Sequence, residues 1–196
     1  MRILCLADEE SNVIWDTYTK DDFKDIDLII SCGDLKASYL SYIETISSIP
    51  ILYVHGNHDD RYATEPPEGC FCIEDQIYVY QGVRFLGLGG SQRYKPGINQ
   101  YTEREMRARV NRMALKLLYH KGFDVLVTHA PALGLNDGTD ACHRGFEIFT
   151  RLIDKYHPKY FIHGHVHLTY SRQFAREDSL GDTKVINAFE KYIIEI

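Results

Sequence analysis

Five short apolar runs frame this chain, because each stops at a side chain that can hold a proton or a metal. Ile3-Leu-Cys-Leu6 runs into Ala7-Asp8, and Leu28-Ile-Ile30 into Ser-Cys-Gly-Asp34. Ile51-Leu-Tyr-Val54 ends in His-Gly-Asn-His-Asp59, Val125-Leu-Val127 in Thr-His129, and Tyr160-Phe-Ile162 in His-Gly-His-Val-His167. Runs of this length read as buried strands. A buried strand needs only a cheap turn at its end, which Gly56-Asn57 supplies without two histidines and an aspartate beside it. The same ending repeated along the chain marks these residues as chemistry.

Helical patterns lie between the runs. Ala37 to Ile46 is one, and Gly145 to Tyr156, closed by Pro158, is another. Thr102 to His120 is a third, opened by the capping box Thr102-Glu-Arg-Glu105 and stopped by Gly122. Strands alternating with helices indicate an α/β fold. Ile77 to Leu86 reads as a hairpin around Gln81-Gly82, and Lys184 to Ile194 as a second. Parallel βα units plus antiparallel hairpins predict two sheets packed together with helices outside. No repeat, low-complexity tract or long linker interrupts the 196 residues, so one domain over 1–196 is expected.

The net charge of −6 argues against holding nucleic acid by broad electrostatics. It leaves open a nuclease whose metals carry the local positive charge. Asp8 ends the first apolar run too soon for a signal peptide, and no run approaches the length of a membrane span. With an odd count of five cysteines, the expectation is a cytoplasmic protein with reduced thiols and no membrane partner. Cys70-Phe-Cys72 has one intervening residue, not two, and reads as structural.

In open α/β sheets, ligands bind beyond the C-terminal ends of the strands. The five strand ends would bring Asp8, Glu10, Asp34, Asn57, His58, His129, His165 and His167 to one edge. This nitrogen and oxygen donor set, without thiolate, suits Mn, Fe, Zn or Ni rather than a structural zinc. The donors exceed what one ion needs. A carboxylate such as Asp34 can bridge two ions, and a pair about 3.5–4 Å apart clamps both the attacking and leaving oxygens of a phosphoryl displacement.

Gly33-Asp34, Gly56-Asn-His-Asp59, Thr128-His129 and Gly164-His-Val-His167, following an Asp-ending first strand, resemble the calcineurin-like metallophosphoesterases. The resemblance spans Asp8 to His167 and implies a four-layer α/β/β/α sandwich of two mixed sheets flanked by helices, with a dinuclear metal centre. It implies one ion on Asp8, the residue at position 10, Asp34 and His167, and a second on Asp34, Asn57, His129 and His165. The implied reaction is phosphoester hydrolysis by a metal-bound hydroxide. His58 would bind a phosphate oxygen and protonate the leaving group, with Asp59 orienting it.

One position departs from that family. Its first motif is normally Asp-x-His, and this chain has Asp8-Glu-Glu10. Glu10 either ligates directly, which favours Mn or Mg over zinc, meets the ion through water, or leaves that ion weakly held or absent. Two divalent ions are expected, Mn first, with Fe, Zn, Ni or Mg as alternatives.

Other candidates lie in the loops. Arg93, in the polar loop from Gly87 to Tyr101, would grip a phosphate, and Tyr94 would stack on a ring; a solvated surface arginine is the alternative. His143 and Arg144 precede a helix whose N-terminus favours anions, with capping and loop packing as the alternative. His55 and His163 read as packed histidines. Arg107, Arg109 and Arg112 form either a basic face for a nucleic acid or a solvated helix face. Three functions compete: hydrolysis of a small phosphodiester or phosphomonoester, a nuclease of the same chemistry, and a metal-binding scaffold that lost turnover, for which Glu10 is the best argument and His58 the counter-argument.

Overall fold

The structure is a computed structural model that describes residues 1–170 and 174–196. Strand alternation sets its layers. In β1 (Arg2–Ala7), Ile3, Cys5 and Ala7 face a central core, while Leu4 and Leu6 face an outer one. This is the period of two expected of a strand buried on both faces.

Around β1 the first sheet runs β13 (Glu190–Glu195), β1, β2 (Leu28–Ser31), β3 (Ile51–Tyr53) and β4 (Phe71–Cys72). The second runs β11 (Glu177–Leu180), β12 (Thr183–Asn187), β10 (Tyr160–His163), β9 (Val125–Thr128), β6 (Val83–Leu88) and β5 (Gln76–Tyr80). The central strands are parallel and the outermost pairings antiparallel, except at β4. A two-stranded pair, β7 (Ser91–Gln92) and β8 (Gln100–Tyr101), ties down the long loop after β6.

Ile30 and Leu52 of the first sheet, with Val54 just past β3, pack against Phe85, Val125 and Ile162 of the second. Outside the first sheet, Ile14 of α1 (Asn12–Thr17) and Tyr39, Leu40 and Ile43 of α2 (Ala37–Ser47) cover Leu4, Leu6 and Ile29. Outside the second, α3 (Glu103–Arg112), α4 (Ala114–Tyr119) and α5 (Glu147–Tyr156) cover Leu86, Leu126 and Phe161. Three cores between four layers make the α/β/β/α sandwich that the sequence resemblance implies. Among the described residues, no helix is long and apolar enough to cross a membrane.

Two expectations change. The helix expected over 102–120 opens with the predicted capping box but divides at Met113, whose N–H reaches back only three residues to the Val110 carbonyl (3.0 Å). The hairpin expected over 184–194 does not form. The Ala188 N–H bonds the His163 carbonyl of the second sheet (2.7 Å), and Phe189 already bridges Ala7 of the first. Asn187 Oδ1 accepts the Phe189 N–H (2.9 Å) and Glu190 takes φ 61°, which redirects the chain from one sheet to the other. The hairpin in this region is β11–β12, turning at Gly181.

Candidate metal centre and its two cavities

The C-terminal ends of β1, β2, β3, β9 and β10 meet at one edge, and the chain turns sharply there. Asp8, Asp34 and His165 take positive φ values of 66°, 58° and 68°, a conformation non-glycine residues adopt rarely and mostly where function requires it. Backbone bonds hold them: the Asp8 N–H donates to the Gly33 carbonyl (3.1 Å), and the His165 N–H to both Asp8 carboxylate oxygens (2.9 Å each). Gly33 and Gly56 interlock under the site. A Cβ on Gly56 would lie 2.0 Å from Asp34 Oδ1, and one on Gly33 2.2 Å from the Gly56 nitrogen. Only glycines let the β2 and β3 loops approach this closely.

Four donors converge. His129 Nε2 lies 3.0 Å from Asn57 Oδ1, 3.1 Å from His165 Nδ1 and 3.4 Å from Asp34 Oδ2. The opposite ring nitrogens meet carbonyls: His129 Nδ1 lies 2.7 Å from the Cys32 oxygen, and His165 Nε2 2.8 Å from the Cys142 oxygen. With those carbonyls taking the ring N–H groups, Nδ1 of His165 and, once its proton is displaced, Nε2 of His129 are the atoms that would offer lone pairs to a cation. That is how metal-binding histidines are usually fixed. Together with the Asp34 carboxylate and the Asn57 amide oxygen, the set fits a divalent cation of the Mn, Fe or Zn type.

Charge follows the geometry. Burial pushes the Asp8 carboxyl up to about 7. Burial also works against the charge of Asp34, but His129 and the His58 N–H (2.7 Å) hold its carboxyl below the usual range. For His129, burial is outweighed by Asp34 and Asp8, which raise it to about 9. Burial, then the neighbouring His129, lowers His165 to about 3. Without a cation, the proton on His129 balances Asp34.

The other donors are engaged elsewhere. Glu10 Oε2 accepts the Trp15 indole N–H (2.9 Å), and its Oε1 lies 3.3 Å from Lys36 Nζ. The His167 ring stacks on Tyr170 (centroids 4.5 Å apart) and packs on Phe189. Asp59 accepts the Gly56 N–H (2.7 Å) and the Asp34 N–H (2.8 Å), so it braces the loops; its carboxylate makes no hydrogen bond to the His58 ring among the described residues. Two turning backbones present their N–H groups here, and the buried Asp59 carboxylate accepts both.

Two cavities open over the edge, with Asp8, Asp34 and His58 in both walls. A groove of about 700 Å³ runs past Glu9, Glu10, Lys36, Arg61 and Glu65. A well of about 220 Å³ is walled by Tyr94, Cys142, His143, His167 and Tyr170. His58 is exposed and stands between them.

The loop candidates sort accordingly. His143 joins the well, its ring 5.4 Å from that of His165. Arg93 turns away, bonding the Gln100 carbonyl (3.0 Å) and pairing with Glu105 (2.9 Å), because the capping-box carboxylate is the nearest anion; Tyr94 reaches the site instead, its hydroxyl 3.3 Å from Asn57 Nδ2. Arg144 is exposed and lines neither cavity. The N-terminus of α5 is already capped, since Glu147 and Ile148 donate their N–H groups to Glu103 (3.0 Å each). Arg109 is buried against Glu74 and Asp75, and Arg107 pairs with Glu103 and Glu147. His55 pairs with the same Glu74, and His163 is enclosed, its Nδ1 on the Gly164 carbonyl. Cys70 and Cys72 are free thiols. The sequence pattern singles out neither Tyr170 nor the Cys142 carbonyl. Tyr170 follows His167 by three residues, a weak signal, and a backbone carbonyl leaves none.

A two-sheet sandwich with histidine, carboxylate and amide donors converging at its strand ends is an α/β protein with a candidate divalent-metal site at its edge. More narrowly, the chain belongs to the calcineurin-like phosphoesterase superfamily, whose domain matches residues 1–188. No curated protein matches it. One solved structure superposes with a TM-score of 0.67 at 16% identity, covering 96% of this chain and 90% of the other. TT1561 of Thermus thermophilus superposes at 0.60 with 13% identity, over 96% and 89%. GAP50, described as the anchor in the inner membrane complex of Plasmodium, superposes at 0.56 with 13% identity, over 95% and 70%. At these identities the likeness is one of fold.

Proposed function

We propose that this protein hydrolyses a small phosphodiester, with phosphomonoesters as the alternative substrate class, using divalent ions of which Mn is the first choice. The observation that carries the reading is the convergence of Asp34, Asn57, His129 and His165 beside an exposed His58 whose ring makes no hydrogen bond among the described residues. Divalent ions bound at this edge would neutralise phosphoryl charge and generate a nucleophile from water at neutral pH. His165 and His129 present one lone pair each, and their other nitrogens stay on backbone carbonyls. His58, held by its backbone bond to Asp34, places its imidazole between groove and well. Its ring N–H protonates the leaving oxygen. Tyr94, His143 and Tyr170 enclose the smaller side and limit water there.

A second cavity next to the acid favours diesters, since both ester substituents then have a place. A nuclease reading needs a basic track, and Arg107 and Arg109 are tied to carboxylates of the chain itself. The free thiols support a reducing, cytoplasmic setting. The scaffold reading draws on Glu10, which is paired with Lys36.

The test is hydrolysis of bis-p-nitrophenyl phosphate and p-nitrophenyl phosphate by chelator-stripped protein, with Mn, Mg, Zn, Ni and Fe(II) restored separately. Diesterase activity that returns with metal and disappears in Asp34→Asn and His58→Ala supports the proposal. Metal binding without turnover on either ester moves the reading to a scaffold.

A further inference from the structure

We propose that Glu10 is the counter-ion of Lys36 and not a metal ligand, so the edge binds one divalent ion tightly per chain, at Asp34, Asn57, His129 and His165. This rests on reading the edge as a metal centre.

Glu10 is held from two sides. Its Oε2 accepts the Trp15 indole N–H at 2.9 Å, and Lys36 Nζ lies 3.3 Å from Oε1 and 3.4 Å from Oε2. The indole is the firmer hold: Trp15 stacks on Tyr42 (4.7 Å) and packs on Tyr39 (5.2 Å), while Lys36 precedes α2 and reaches Glu10 with a largely exposed side chain. To reach an ion, Glu10 would have to give up an indole N–H and unpair an ammonium group. The indole is a donor only, so losing Glu10 leaves its N–H without a protein acceptor. The pairing with Lys36 also offsets part of the attraction that the Glu10 carboxylate would offer an ion at the first position.

The remaining donors of that position line the same well but stand outside the converging group. Both Asp8 oxygens accept the His165 N–H, and the His167 ring is stacked on Tyr170. Asp34, His129 and His165 bring their donor atoms within 4.8 Å of one another, and neither Asp8, Glu10 nor His167 joins that group. A histidine at position 10 would carry no negative charge to be captured by Lys36. A glutamate at position 10 therefore sits in the groove wall beside Lys36 instead of turning to the ion.

The experiment is calorimetric titration of the stripped full chain with Mn²⁺, alongside elemental analysis after desalting. Wild type, Glu10→Gln, Glu10→His, Lys36→Met and Asp34→Asn are compared, with circular dichroism melts to establish folding. One tight equivalent is expected in wild type, with affinity unchanged within about threefold in Glu10→Gln. The second equivalent should tighten by about tenfold or more in Glu10→His, the scale on which a metal's surroundings alter affinity. Lys36→Met, which frees Glu10, should strengthen the second equivalent in the same direction. Two comparably tight equivalents in wild type, or a tight equivalent lost in Glu10→Gln, overturns the inference and leaves the metal centre standing. No binding in a folded wild-type chain overturns the metal centre itself.

Discussion

The two sides of the metal edge are made from the same residue types, yet one is assembled and the other is not. On the assembled side, Asn57, His165 and Asp34 each place a donor atom within 3.4 Å of His129 Nε2, and each histidine has its far nitrogen fixed by a carbonyl. On the other side, Glu10 is tied to Trp15 and Lys36, and His167 to Tyr170 and Phe189. Distance from the strand end does not explain the difference: Asp34 and Asn57, third after β2 and fourth after β3, join the cluster, while Glu10 and His167, third after β1 and fourth after β10, do not. The difference lies in the partners each side chain meets. The Asp34 carboxylate is turned by the His58 N–H, and the two histidine rings by the Cys32 and Cys142 carbonyls. Glu10 and His167 instead meet side chains that hold them outside the cluster.

That contrast can be tested by substitution, beginning with the most damaging change. Asp34→Asn removes the carboxylate nearest His129 and should weaken Mn affinity by more than about 100-fold, beyond the loss typical of a residue that only supports a ligand. His58→Ala should lower kcat by roughly 10²–10⁴-fold at unchanged metal content. Equal loss of metal and activity would instead place His58 among the ligands. Gly56→Ala puts a Cβ 2.0 Å from Asp34 Oδ1, and overpacking of this kind costs about 1–3 kcal/mol, readable as a lower melting temperature with weaker metal binding.

The pH dependence of metal affinity separates the two sides directly. His129 is raised to about 9, and an ion needs its neutral form, so affinity should fall as pH drops below 9 with one proton displaced per ion. Asp8 is raised to about 7 and becomes protonated below that pH. A slope that stays at one proton below pH 7 means the assembled side binds alone; a slope steepening to two means Asp8 ligates too. Arg93→Ala should change KM less than about threefold, as expected for an exposed pair worth under 1 kcal/mol, because its guanidinium faces Glu105. A larger rise in KM would return Arg93 to the substrate.

The strand ends are the legible part of the site. Apolar runs stopping at Asp8, Asp34, Asn57, His129 and His165 are readable because a buried strand has few reasons to end in such groups. The capping box at Thr102 and the turn at Gln81-Gly82 are legible for the same reason: their signals are local. The tail from Lys184 to Ile194 reads wrongly as a hairpin because two adjacent strands look like one in any sequence. Only the pairing of Ile194 with Ile3, far away along the chain, assigns them to different sheets. Arg93 and Arg144 are not where the loop signals suggest, because a cation in a loop carries no record of which carboxylate it will meet.

The amino-acid sequence alone set the layering, through period-two burial in short strands, and the identity of the donors gathered at one edge. Tertiary packing chose which of those donors converge. Hydrogen bonds such as that from Trp15 to Glu10, or from Asp34 and Gly56 to Asp59, join segments whose meeting depends on how helices and loops pack over the sheets. A side chain's chemistry is written at its own position, but its partner is chosen by the neighbours that folding brings to it.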